Sequence, residues 1–185
     1  MRKLLMIGSI GLLVAAAAAA NGFGAANKHQ TAASPCAGFP QTLKSSAGTQ
    51  WATTGVITWS NSTLVTPPPN YAHAFGGSKW VTSGSTFASV AYRQAFTAPG
   101  SGATLKLHGK LYADNGVTVN FGSAAARSST TDPNAFKKPA LHIAPPMKST
   151  YDAASFGSGA YVYFTVTNQA GTIQGLDFSL KITCS

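Results

Sequence analysis

The 185-residue sequence predicts an all-β protein, an antiparallel β-sandwich, and three observations carry that prediction. Apolar residues alternate with polar ones in several short runs, the period-2 pattern of strands with one buried face. Turn-forming clusters separate those runs, in a chain with 19 glycines and ten prolines. No stretch beyond the N-terminal segment keeps the 3.6-residue apolar period of a helix, and no internal repeat is found. Short strands with regular turns describe two sheets closed over one core.

The N-terminus reads as an address. Met1-Arg2-Lys3 is a short basic head, Leu4 to Ala20 is apolar, and Ala18-Ala19-Ala20 fits a small-residue cleavage rule. A secretory signal peptide over 1–20 is expected, with Gly24-Ala25-Ala26 as a later alternative cleavage site. The rival is a membrane anchor, but the apolar run falls short of the ~20 residues a spanning helix needs and is largely alanine. No cysteine follows it, against a lipoprotein. Secretion to the exterior, the cell surface or the periplasm follows, with no membrane contact after cleavage.

Residues 21–35 form a polar leader without periodicity, and a single domain is expected over 36–185, within a mature chain of about 165 residues. Without Arg2 and Lys3 the chain holds 11 basic residues against four aspartates, a net of +7, and it has no glutamate. Such a balance suits an anionic partner. The basic residues are scattered, however, without interleaved aromatics, so nucleic acid is not expected.

Cys36 and Cys184 are the two cysteines. In an exported chain a pair reads as one disulfide, here closing nearly the whole domain. Closing so long a loop is worth on the order of 4 kcal/mol in the chain-entropy account.

The strands follow in order. Residues 49–59, TQWATTGVITW, read as one or two early strands, with Trp51, Val56, Ile57 and Trp59 as candidates for burial. Asn61-Ser62-Thr63 is a formal glycosylation sequon. Pro67-Pro68-Pro69 must be an extended loop. Ser89 to Phe96 is a strand with Val90, Tyr92 and Phe96 inward. Leu105 to Phe121 reads as a hairpin: Leu105, Leu107 and Leu111, then Val117, Val119 and Phe121, on either side of Ala113-Asp114-Asn115-Gly116. Residues 122–151 are the least regular part, with Leu141-His142-Ile143 as a short strand inside a long connection. Tyr161 to Thr167 places Val162, Phe164 and Val166 inward. Leu176 to Cys184 places Leu176, Phe178, Leu180 and Ile182 on one phase, and Cys184 shares it.

Thr54-Gly55-Val56 and Trp59, Ser78-Lys79-Trp80, the aromatic strand Tyr92 to Phe96, the Ala113-Asp114-Asn115 turn, and the terminal Val166-Thr167-Asn168 through Gly175-Leu176-Asp177-Phe178 occur in an order that resembles exported bacterial β-sandwich domains of the galactose-binding-like, or jelly-roll, carbohydrate-binding-module type. The resemblance covers most of residues 49–183. It departs at Asn120-Phe121-Gly122, where such domains place an Asn-Gly turn. It implies a non-catalytic surface module associated with carbohydrate, on a fold that hosts many functions.

Candidate binding residues are few. Tyr161 and Tyr163 lie opposite Val162 and Phe164 and should project from one face, as a sugar platform or as packing under the 122–151 connection. Trp59 is a second ring candidate, although Trp51, Trp59 and Trp80 all suit a core. Lys106, His108 and Lys110 line the polar side of a strand, where they either meet an acidic glycan or form a solvated, edge-protecting face. Asp114-Asn115 offers oxygens to a structural calcium, but calcium takes six to eight ligands and the chain has four carboxylates, so a turn is preferred and no cofactor is expected. A glycosidase needs two positioned carboxylates, no Gly-x-Ser-x-Gly elbow occurs, and His29, His73, His108 and His142 lack metal-ligand spacing. The expectation is a secreted, non-enzymatic module that binds polysaccharide or a cell-surface glycan. The alternative is a self-associating subunit of an extracellular matrix or filament.

Overall fold

A computed structural model describes residues 33–185, except 57, 131, 133, 134, 158 and 169–173. The expected signal peptide and nearly all of the leader lie outside the described residues. Twelve strands follow one another: β1 (Gln41–Lys44), β2 (Gln50–Thr53), β3 (Ser60–Asn61), β4 (Thr63–Leu64), β5 (Val81–Thr82), β6 (Ser89–Ala95), β7 (Thr104–Ala113), β8 (Gly116–Asn120), β9 (Arg127–Ser128), β10 (Leu141–Thr150), β11 (Tyr161–Thr167) and β12 (Leu176–Cys184). Among the described residues the one helical element is a short 3₁₀ turn at Ala135–Lys137, and no helix is long and apolar enough to cross a membrane.

The strands form two antiparallel sheets of six. Sheet I has the order β10-β7-β12-β5-β4, with β1 also paired to β12, and sheet II has the order β3-β2-β6-β11-β8-β9. Their inner faces interdigitate as alternation requires. Leu105, Leu107, Leu111, Phe178, Leu180 and Ile182 come from sheet I, and they meet Val90, Tyr92, Val119, Val162, Phe164 and Val166 of sheet II, all buried. Phe164 stacks on Phe178 across the interface at 4.8 Å between ring centroids. Each such side chain contributes about 1.5–3 kcal/mol by leaving water, so the alternating runs supply the core. The sandwich class expected from the sequence is the observed one.

The connection between β7 and β8 differs from the hairpin expected. Both edges of β7 are already filled, by β10 on one side and β12 on the other, while β8 pairs with β11 and β9 in the opposite sheet. Asp114-Asn115 is therefore a corner at which the chain passes from sheet I to sheet II. Asn115 takes φ +79°, a left-handed conformation that Asn tolerates, and its Nδ2 donates to Asp114 Oδ1 at 2.6 Å. Alternation is blind to this distinction, because a hairpin and a corner keep the same inward phase.

Three further departures have local causes. Val56 is exposed, because the early strand stops at Thr53 and turns through Gly55. Residues 141–143 open a ten-residue strand that continues through Pro145-Pro146. β10 lies at the edge of its sheet, and its register slips between Ile143 and Met147, so prolines without N–H groups cost little there. The segment Gln41–Lys44, for which the sequence shows no clear pattern, is a strand on β12.

Two devices fasten the ends. Cys36 and Cys184 form the expected disulfide, with Cα atoms 5.5 Å apart, and the Pro35 carbonyl accepts from Gly100 N–H at 2.7 Å. Asp177, fully buried on β12, accepts from Ser45 Oγ at 2.6 Å and from Phe75 N–H at 3.0 Å. A buried carboxylate is tolerable only when so satisfied, and this one pins the end of β1 and the 65–80 loop to the sheet.

Candidate functional site

The outer face of sheet II is built around Arg93. Arg93 follows the inward Tyr92 on β6 and so projects outward. Register places Asn120, Tyr163, Arg93, Gln50 and Asn61 in one row across five strands. Trp59 folds over this row from the segment before β3. The Arg93 guanidinium lies 4.3 Å from the ring centroid of Trp59 and 4.3 Å from that of Tyr161, so it sits between the two rings. Tyr163 completes the group, 5.9 Å from Trp59 and 5.9 Å from Tyr161. Arg93 Nε donates to Gln50 Oε1 at 2.8 Å, which orients the guanidinium plane. Trp59, Arg93, Tyr161 and Tyr163 are all half-buried.

Phe156, Gly157 and Gly159 lie against the two tyrosines. A Cβ at Gly157, where φ is +66°, would stand 2.7 Å from Tyr163 Oη, and one at Gly159 would stand 2.6 Å from Tyr161 Cε2. Those glycines let backbone lie directly against the rings. The Tyr163 hydroxyl donates to the Phe156 carbonyl at 3.4 Å.

The predicted binding residues thus separate into two groups. Trp59, Tyr161 and Tyr163 converge on sheet II, whereas Lys106 and His108 lie on the outer face of sheet I, on the other side of the molecule. The remaining tryptophans are structural: Trp51 packs against the core and Trp80 is buried. Arg93 was the residue that sequence reasoning missed. Its signal was there, in the outward phase of a strand whose inward residues, Val90 and Tyr92, were recognised.

A third feature lies at the end of sheet I, where Phe136, Tyr71, Trp80, Tyr112 and Phe75 touch in that order with neighbouring centroids 4.5–5.9 Å apart, stacked except where Tyr71 meets Trp80 edge-on. Trp80 Nε1 donates to the Ala72 carbonyl at 3.0 Å. A cleft of about 200 Å³ opens beside it, walled by Pro67, Pro68, Tyr71, Trp80 and Gln174. Burial pushes the Tyr71 hydroxyl up to about 12, and the charge of Asp114 adds to that rise. Among the described residues no three His, Cys, Asp or Glu side chains cluster to hold a metal ion. No family model, curated protein or solved structure matches the chain.

Proposed function

We propose that this chain is an exported, non-catalytic module that holds carbohydrate on the outer face of sheet II. The observation that carries the reading is the convergence of Trp59, Tyr161 and Tyr163 about Arg93 on one flat, partly open face. Sugar rings present apolar C–H faces that pack on aromatic rings and hydroxyls that need donors and acceptors. Rings with a polar tip suit such half-wet contacts. The guanidinium, with Gln50 and Asn61 along the row, supplies fixed hydrogen-bonding groups beside the rings. The Cys36–Cys184 bridge is in keeping with an oxidising compartment.

No matched relative stands behind the carbohydrate-binding-module resemblance, so the reading rests on the face itself. The filament alternative finds less support. β3, β4 and β9 have two residues each, β1 beside β12 has four, and β10 is interrupted by two prolines, leaving only short runs of edge for strand addition. The test is retention of the mature protein on a panel of insoluble polysaccharides. Retention lost in Trp59→Ala and in Tyr161→Ala/Tyr163→Ala supports the reading; no retention on any glycan overturns it.

A further inference from the structure

The outer face of sheet I carries a second chemistry. Register across β10, β7, β12 and β1 places the outward residues in three rows: His142, Lys110, Ser179 and Lys44; then His108, Lys181 and Thr42; then Lys148, Lys106 and Thr183. Five lysines and two histidines that are far apart in sequence therefore share one patch. Strand spacing and rise give it an extent of about 14 Å by 14 Å.

The patch has no internal neutralisation. Lys148 stands directly opposite Lys106, His142 opposite Lys110, and Lys181 opposite His108. Lys148 and Lys106 are thus like charges directly opposed, a placement that destabilises a sheet. Among the described residues none of these lysines pairs with a carboxylate; the ion pair present is Lys138–Asp132, in a loop. Asp177, the one carboxylate on this face, is fully buried and already accepts from Ser45 and Phe75. Lys44, at the margin, donates to the Gly76 carbonyl at 2.5 Å. His142, Lys110, Lys148 and Lys181 are exposed, and Lys106 and His108 half-buried. A fold tolerating this repulsion gains when an external polyanion relieves it.

We propose that the outer face of sheet I binds a linear acidic polysaccharide. Along β12 the hydroxyls of Ser179 and Thr183 flank the Lys181 ammonium, and Thr42 lies beside it on β1, so hydroxyls border the lysines of β7 and β10, which suits a polymer that carries both carboxylate or sulfate and hydroxyl groups. Among the described residues the face has no free aromatic ring on which nucleic-acid bases could stack, since Tyr112 is taken up by Phe75 and Trp80. It also has no arginine fork for phosphate. Of the exposed large apolar residues that would enter a lipid surface, Val56 and Phe87 lie outside sheet I, and Leu64 lies at its far edge on β4, two strands beyond β12. This surface is distinct from the aromatic face, and the two together would let one module bridge two polymers.

The test uses the full mature chain and two soluble probes, polygalacturonate and heparin, at low and at physiological salt. Wild-type protein is expected to bind at least one probe, with affinity falling steeply as salt rises. Lys106→Ser/Lys110→Ser/Lys181→Ser is expected to lose at least tenfold in affinity while its melting temperature holds or rises, because the repulsion has been removed. Trp59→Ala is expected to bind the probes as wild type does, which separates this face from the aromatic one. The proposal is overturned by absent binding to both probes at low salt, by binding that the triple variant leaves unchanged, or by tighter binding to double-stranded DNA or anionic vesicles than to either glycan.

Discussion

The guanidinium of Arg93 lies 4.3 Å from the ring centroid of Trp59 and at the same distance from that of Tyr161. A planar cation between two π faces gains about 0.5–1 kcal/mol from each at half-exposed sites. The bond from Gln50 fixes its orientation. Arg93 therefore holds the rings in place.

Arg93→Ala is expected to cost about 1–2 kcal/mol of stability, from two ring contacts and one charge-assisted hydrogen bond. Urea unfolding measures it. Arg93→Lys should recover little, because an ammonium cannot lie flat between two rings. A full recovery by lysine would mean that charge alone, and not the planar stack, is what matters.

Gly109 sits in the middle of β7 at φ +143°, opposite Leu180. A Cβ there would fall 2.3 Å from the Ser179 carbonyl oxygen and 2.8 Å from Leu180 Cα, both backbone. Backbone cannot yield as a side chain does. Gly109→Ala should cost roughly 2–4 kcal/mol, read as a lowered urea midpoint. A neutral result would show that β7 and β12 slide apart easily.

Removing the disulfide by Cys36→Ser/Cys184→Ser should lower stability by about 5 kcal/mol in the chain-entropy account, since 148 residues separate the two cysteines. Thermal unfolding with and without reductant gives the same comparison in the wild type. Two free thiols in the protein purified without reductant would refute the bridge.

Tyr92 is fully buried between the sheets, and burial raises its hydroxyl to about 12, partly offset by the hydrogen bond donated from Ser83 N–H. Tyr71 is raised to about 12 as well. Ionisation is thus easier in the unfolded chain, whose tyrosines titrate near 10. The sign follows: this contribution is complete below pH 10 and is lost as pH climbs toward 12. Tyrosinate absorbance should show a late class of tyrosines, and its appearance should coincide with loss of folded signal. Titration of all six tyrosines near pH 10 without unfolding would contradict it.

Much of this fold is legible in the sequence, because alternation reports burial directly. The inward residues of β6, β7, β8, β11 and β12 could be named from their phase alone. What alternation does not carry is partner choice. A run with Leu105, Leu107 and Leu111 reads the same whether its neighbour is β8 or β12, so the corner at Asp114-Asn115 passed for a hairpin. Edge position is equally hidden, and without it Pro145-Pro146 argues against a strand that in fact exists. The candidate sites split along the same line. Tyr161 and Tyr163 belong to one strand and share its phase, so their pairing was visible. Their convergence with Trp59 and Arg93, and that of Lys148, Lys181 and Lys44 with Lys106, depends on register between strands distant in sequence.

The most direct measurement is a tryptophan-emission titration of the mature protein with soluble polysaccharides. Trp51 packs against the core and Trp80 is buried, so Trp59 is the indole placed to report contact on the aromatic face. A saturable emission change is expected with at least one glycan, absent in Trp59→Phe and weakened at least tenfold in Tyr161→Ala/Tyr163→Ala. An unchanged spectrum across the panel, or a change that persists in Trp59→Phe, would contradict it.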